Sequence, residues 1–310
     1  MKIVLAQPRG FCAGVVRAID IVEKALKLYG SPVYVLHEIV HNQKVLSDLT
    51  AKGALFVETL EEIPEGAHAI FSAHGVSEQV VASAQLRSLQ ILDASCPLVT
   101  KVHLQSKQYE KDGYEVIVIG HQGHPEVDGI CGNLQNFHVV DCIADIDALP
   151  DASDKRYAYV TQTTLSIDDT RELLTALSVK IPKITGPDIK DICYATQNRQ
   201  NAIKSIADQV DLMLVIGADN SSNSNRLREV AAAKGVIAHR IQSAAELQAD
   251  WFTGIDTVGI SAGASTPEEL VAEVVSELQQ KFQAQVTLHP GVEETIQFRL
   301  PRQLQDNTNN

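Results

Sequence analysis

The 310-residue sequence has no apolar run approaching the roughly 18 residues that a membrane helix needs. Its longest, around Leu212 to Gly217, has the length of a buried strand. The opening MKIVLA shows no charged, apolar and cleavage-site succession, so secretion is not expected. Basic residues are scarce: 26 Lys and Arg stand against 39 Asp and Glu, a net charge of −13. That deficit argues against nonspecific binding to nucleic acid or to an anionic membrane, both of which use a basic surface. Any anionic ligand must then be held locally, against the overall field. Walker A and GxGxxG sequences are both missing, so neither a nucleotide P-loop nor a dinucleotide fingerprint is present.

Cysteine is also sparse. The five, Cys12, Cys96, Cys131, Cys142 and Cys193, include no CxxC pair, which excludes a zinc ribbon and a ferredoxin-type ligand run. An odd count without a signal peptide reads as reduced thiols in a cytoplasmic protein.

What is present is repetition. Three segments carry a cysteine as their second residue: FCAGVVRAIDIVEKALKLYG, SCPLVTKVHLQSKQYEKDG and ICYATQNRQNAIKSIADQV. Each continues with a helical stripe, so Cys12, Cys96 and Cys193 all sit at a helix start. Short strands follow at Val33 to Leu36, Val116 to Ile119 and Leu212 to Ile216. They run into the polar loops HEIVHN, GHQGHPE and GADNSSNSN. His41, His124 and Asn223 lie at nearly equal distances from their cysteines (29, 28 and 30 residues). A second strand and loop then recurs as AIFSAHGVS, YVTQTTLS and VGISAGAST, each followed by another helical pattern.

Alternating strands and helices imply parallel sheets covered on both faces. The expected fold is therefore α/β, with three similar parallel-sheet units in a pseudo-threefold arrangement. The units span 14–96, 97–192 and 193–282, the last completed by an N-terminal strand within 1–13, with 283–310 as a C-terminal tail. Ligands collect at the C-terminal ends of parallel strands, so the cysteines and polar loops are expected to share one centre. Tandem domains with three unconnected sites are the alternative.

Thiolates select soft metals, and three of them can ligate zinc or an iron–sulfur cluster. A helix start favours the thiolate. A [4Fe–4S] cluster with three cysteines has one open iron, which can act as a Lewis acid while the cluster carries electrons. Cys131 and Cys142 have no counterparts in the repeats and read as small buried hydrophobes. His41, His74 and His124, with Ser221, Ser222, Asn223 and Ser265, form a set of hydrogen-bond donors suited to a diphosphate. The other histidines read as ordinary surface or core residues. Glu126 either matches a helix dipole or delivers protons. Thr163 is either a strand-edge threonine or a site residue at the position equivalent to His74.

The blocks PRGFCAGVVRAI, HEIVHN, FSAHGVS, DASCPLVTKVH, GHQGHPEV, TQTTLS, DICYATQNRQ, NSSNSNRL and AGASTP occur in order from Pro8 to Pro267. Together they resemble the 4-hydroxy-3-methylbut-2-enyl diphosphate reductase family, which acts last in the non-mevalonate isoprenoid pathway. The resemblance implies a central iron–sulfur site with one [4Fe–4S] cluster on Cys12, Cys96 and Cys193. It implies diphosphate binding by His41, His74, His124, Ser221, Ser222, Asn223 and Ser265. Glu126 takes the place of the proton donor, and Thr163 that of the threonine touching the substrate hydroxyl. It further implies an allylic diphosphate substrate and electrons from a ferredoxin or flavodoxin with its reductase, since the chain has no flavin or nicotinamide motif. A non-redox hydratase and a diphosphate-binding metal sensor are the competing readings. A ring closed within one chain is expected to be a monomer. The tail sequence GVEETIQFRLP is expected to fold over that ring, and the last residues, DNTNN, to be disordered.

Overall fold

The computed structural model describes residues 1–150 and 155–305; the final DNTNN lies outside them. The chain opens with β1 (Lys2–Leu5), α1 (Ala13–Tyr29), β2 (Val33–Leu36), α2 (Gln43–Ala51) and β3 (Ala54–Val57). It continues through β4 (His68–Phe71), α3 (Glu78–Leu86), β5 (Gln90–Asp93), α4 (Pro97–Lys111) and β6 (Glu115–Ile119). Then come α5 (Pro125–Cys131), β7 (Phe137–Val140), α6 (Ile143–Ala148), β8 (Tyr157–Thr161) and α7 (Ile167–Lys180). The last part holds α8 (Tyr194–Ile206), β9 (Leu212–Ile216), α9 (Ser222–Ala233), β10 (Ile237–Ile241), β11 (Thr257–Ala262), α10 (Glu268–Phe282) and β12 (Gln285–Leu288).

The strands form three sheets, ordered β10-β9-β11-β1-β12, β3-β2-β4-β5 and β7-β6-β8, and every pairing within them is parallel. Two compact bodies carry them. The first comprises Met1–Ala13, His41–Val45 and Tyr194–Ile296; the second comprises Gly14–Val40, Leu46–Cys193 and the residues from Gln297.

In the first body the five-stranded sheet is covered on both faces. Leu212, Leu214 and Ile216 of β9 pack with Val271, Val274 and Leu278 of α10. The alternate residues Met213 and Val215 pack with Ile203, Ile206 and Leu227. This period of two with both faces apolar makes β9 a continuous hydrophobic run, as parallel sheets require. Each such side chain, fully buried, contributes about 1.5–3 kcal/mol. β1 lies between β11 and β12, with Ile3 opposite Val258 on one side and Val286 on the other.

In the second body β6 behaves as β9 does. Ile117 and Ile119 face one core with Tyr157 and Leu177, while Val116 and Val118 face another with Val127 and Ile130. Among the described residues the segment Ile184 to Ile192, which leads into Cys193, makes a single bridge, Thr185 to Ala158. Pro187 has no amide to give a ladder, and Asp188 sits at φ 60°, outside strand conformations. That sheet accordingly keeps three strands.

Candidate functional site

All three repeat cysteines precede helices and use their amides alike. Cys12 N–H donates to the Ala264 carbonyl (3.1 Å), Cys96 N–H to that of Ala73 (3.0 Å) and Cys193 N–H to that of Thr163 (3.0 Å). The acceptors all lie in the loop after the second strand of a repeat. This bond fixes the register among repeats: Thr163 corresponds to Ala73 and Ala264. The counterpart of His74 and Ser265 is then Thr164, one residue later than the sequence spacing suggested. None of the five cysteines is in a disulfide.

The first body gathers Cys12, His41, Ser221, Ser222, Asn223 and Ser265. Ser265 Oγ donates to the His41 carbonyl at 3.0 Å, and the preceding residue accepts the Cys12 amide. Asn42 begins α2 by accepting from Val45 N–H at 3.2 Å. Ser221 caps α9, its hydroxyl accepting from the Ser224 amide (3.3 Å) and hydroxyl (3.0 Å). A Cβ on Gly217 or Gly263 would come within 2.1 Å of Ser224 Oγ, so both glycines are required for this close approach. Asn223, 5% exposed, has neither its amide nitrogen nor its amide oxygen hydrogen-bonded. A buried amide without partners costs roughly 1–3 kcal/mol, which a bound ligand offering both donor and acceptor atoms would recover.

The second body gathers Cys96, Cys193, His74, His124, Glu126 and Thr163. His124 caps α5, and its Nδ1 accepts the Glu126 amide at 3.1 Å. The neutral ring therefore carries its proton on Nε2, leaving that nitrogen a donor. The rings of His74 and His124 meet edge to face, 6.0 Å apart at 88°. Ser72 Oγ lies 3.3 Å from His74 Nδ1. His41, His124 and Asn223 enter their helices differently: His41 precedes the cap Asn42, His124 is itself the cap, and Asn223 is the second residue of α9.

Glu126 is 2% exposed. Its Oε1 accepts the Thr163 amide at 2.7 Å and its Oε2 the Thr163 hydroxyl at 3.0 Å. Burial pushes its carboxyl up to about 7, with Asp191 adding to the rise and the Thr163 bonds opposing it. Such a carboxyl exchanges its proton readily near neutrality, as a proton donor must. Glu126, Thr163 and Cys193 are thus one connected unit, through the carboxyl, the threonine and its carbonyl.

Cys131 packs among Val102, Val116 and Ile130, and burial pushes its thiol up to about 12. That suits the apolar role read from sequence and not a ligand's. Cys142 is exposed rather than buried, and caps α6 with its thiol 3.4 Å from Asp145. Sequence reading missed four residues that hold the cysteine loops: Arg17, Lys101, Asp191 and Arg199. For the three basic residues the signal was a cation five or six residues after each repeat cysteine.

Comparison with known proteins agrees over nearly the whole chain. The family model described as LytB protein matches residues 3–279. The 4-hydroxy-3-methylbut-2-enyl diphosphate reductase of Burkholderia pseudomallei is 53% identical, covering 98% of this chain and 97% of that protein. The reductase of the same name from Acidithiobacillus ferrooxidans is 52% identical over 97% and 96%. Among solved structures, the E-1-hydroxy-2-methyl-but-2-enyl-4-diphosphate reductase from Plasmodium falciparum superposes with a TM-score of 0.95 at 37% identity, covering 98% of this chain and 96% of its own. Three parallel sheets, cysteines repeated at helix starts and this likeness agree: the chain belongs to the LytB protein family.

Proposed function

We propose that this chain is a 4-hydroxy-3-methylbut-2-enyl diphosphate reductase, converting its allylic substrate to isopentenyl and dimethylallyl diphosphate. The reaction breaks the allylic C–O bond. Two electrons enter, one proton leaves with the hydroxyl as water, and a second adds to the carbon skeleton. The observation that carries this reading is the buried Glu126–Thr163 pair joined to Cys193.

Cys12, Cys96 and Cys193 would hold the iron–sulfur group, and their donor chemistry fits it: three thiols, none in a disulfide, each anchored through its amide. Among the described residues no three His, Cys, Asp or Glu side chains form a group that could hold a metal ion. When bound, a [4Fe–4S] cluster on these three cysteines supplies electrons and Lewis acidity at the iron without a thiolate.

His41, His74, His124, Ser221, Ser222, Asn223 and Ser265 bind the diphosphate. His124 donates from Nε2, and the Asn223 amide gains the partners it otherwise lacks. Glu126 holds a proton near neutral pH. With the proton on Oε2, its bond to Thr163 reverses, and Thr163 Oγ1 accepts while its own hydrogen turns to the substrate hydroxyl. The leaving oxygen thus takes its proton from Thr163, and Glu126 replaces it. The electron donor is a ferredoxin or flavodoxin with its reductase, acting on a cytoplasmic monomer. No described helix is long and apolar enough to cross a membrane.

The test is anaerobic. Reconstituted protein should be brown and should consume the allylic diphosphate only when dithionite is supplied. Turnover without reductant would indicate a hydratase, and a colourless zinc protein without turnover a sensor.

A further inference from the structure

The helix after each repeat cysteine sends one cation to the residues leading into another repeat cysteine. Arg17, five residues after Cys12, donates to the carbonyls of Ser95 (3.0 Å) and Asp93 (3.3 Å), just before Cys96. Lys101, five after Cys96, pairs at 3.6 Å with Asp191, two before Cys193. Arg199, six after Cys193, donates to the carbonyls of Gly10 (2.7 and 3.0 Å) and Phe11 (3.3 Å), just before Cys12. One device occurs three times, always against a cysteine's lead-in. General stabilisation would not select that position in every repeat.

The C-terminal tail braces two of these cations. Glu294 accepts from Arg199 Nη1 (3.0 and 3.2 Å) and Nη2 (3.2 Å), and from Asn198 Nδ2 (3.0 Å). Arg199 also reaches the Ala195 carbonyl at 2.9 Å, so its donors are all engaged although its side chain is wholly buried. The planar fork is what lets one side chain hold two loop carbonyls and a carboxylate together; lysine cannot. Further along the tail, the Arg299 carbonyl accepts from Arg17 Nε at 2.8 Å.

We infer that Arg17 and Arg199 are positioning residues for Cys96 and Cys12 respectively, with Glu294 as the tail's latch on Arg199. This rests on the proposed function for its purpose, since fixed thiols are what a three-cysteine cluster needs. The contacts themselves do not depend on it.

The experiment uses the full-length chain, reconstituted anaerobically, then held with a chelator and iodoacetamide. Iron release is followed in solution, and the alkylation rate of each cysteine by mass spectrometry. Arg17→Ala should speed alkylation of Cys96 about fivefold, and Glu294→Gln that of Cys12 about fivefold, with the other repeat cysteines within about twofold of wild type. Both variants should release iron faster. Thr287→Ala, in β12, which removes a bond to the Ile3 carbonyl and none to Arg199, should change neither. If a variant lacks a cooperative thermal transition, Asn198→Ala, which takes one bond from Glu294, is judged by the same Cys12 criterion. Equal acceleration of all three cysteines, or none, overturns the inference. A wild type that binds no iron would instead count against the proposed function, while the cysteine-by-cysteine rates would still decide the latch.

Discussion

Thr163 holds both carboxyl oxygens of Glu126, one through its amide at 2.7 Å and the other through its hydroxyl at 3.0 Å. Only the second bond can reverse direction and move a proton, because the amide can donate and nothing else.

Two residues in one relay fail together. Glu126→Gln and Thr163→Val should each slow turnover by about 10²–10⁴-fold with iron content unchanged. The double variant should be no slower than the slower single, since the first break already empties the path. Losses that multiply would show that the two act separately. Steady-state rates with dithionite as reductant decide it.

The buried carboxyl also makes stability depend on pH. The folded value for Glu126, about 7, lies above its ordinary 4.5. The protonated form therefore stabilises the fold fully below pH 4.5, and this contribution is lost as pH rises through 7. Glutamine imitates the protonated form at every pH. Glu126→Gln should match wild type at pH 4.5 and exceed it at pH 8 by up to about 3 kcal/mol. Denaturant titrations at the two values measure the gap; a gap that shrinks with rising pH would contradict the assignment.

The thiols divide into two groups. Cys12→Ser, Cys96→Ser and Cys193→Ser should each lower bound iron, whereas Cys142→Ser and Cys131→Ala should not. Cys142 is exposed at a helix cap, and Cys131 is packed in an apolar core. Iron and sulfide analysis after anaerobic reconstitution checks this, and equal loss in both groups would undo the ligand set.

Asn223 carries a cost in the absence of ligand, with both amide atoms buried and unpartnered. Asn223→Leu fills a similar volume without that penalty. It should raise the melting temperature of ligand-free protein by several degrees, given about 1–3 kcal/mol. The same change should abolish the stabilisation that added diphosphate gives to wild type. A variant that melts lower and still responds to diphosphate would remove Asn223 from the site.

Much of this was legible in the sequence because the signals repeat. Cysteine, helix, buried strand and polar loop recur in one order, and strong apolar runs such as LMLVI and YAYVT mark strands buried on both faces. The edge strands β3, β7 and β10 were not legible. Ala54–Val57 and Phe137–Val140 are four residues each and partly exposed, and Ile237–Ile241 includes His239 and Arg240, so no pattern sets them apart from loops. β12 falls in the stretch that reads as tail for the same reason, since all four of its residues are exposed. The one-residue shift that pairs Thr164 with His74 was hidden too, because it is defined by where the cysteine amides donate and by nothing in the residue types. Arg199 and Glu294 are far apart along the chain, and only the fold turns an ordinary Arg and an ordinary Glu into one buried contact.

The position of β1 bears on how the polypeptide is made. Lys2–Leu5 leaves the ribosome long before Thr257–Ala262 and Gln285–Leu288, the two strands that flank it. The second body's two sheets draw all their strands from Val33 to Thr161 and can assemble during synthesis. The five-stranded sheet cannot. β1 must wait for β11 to emerge before it can pair, so Cys12 reaches its final place only after Cys96 and Cys193 have emerged.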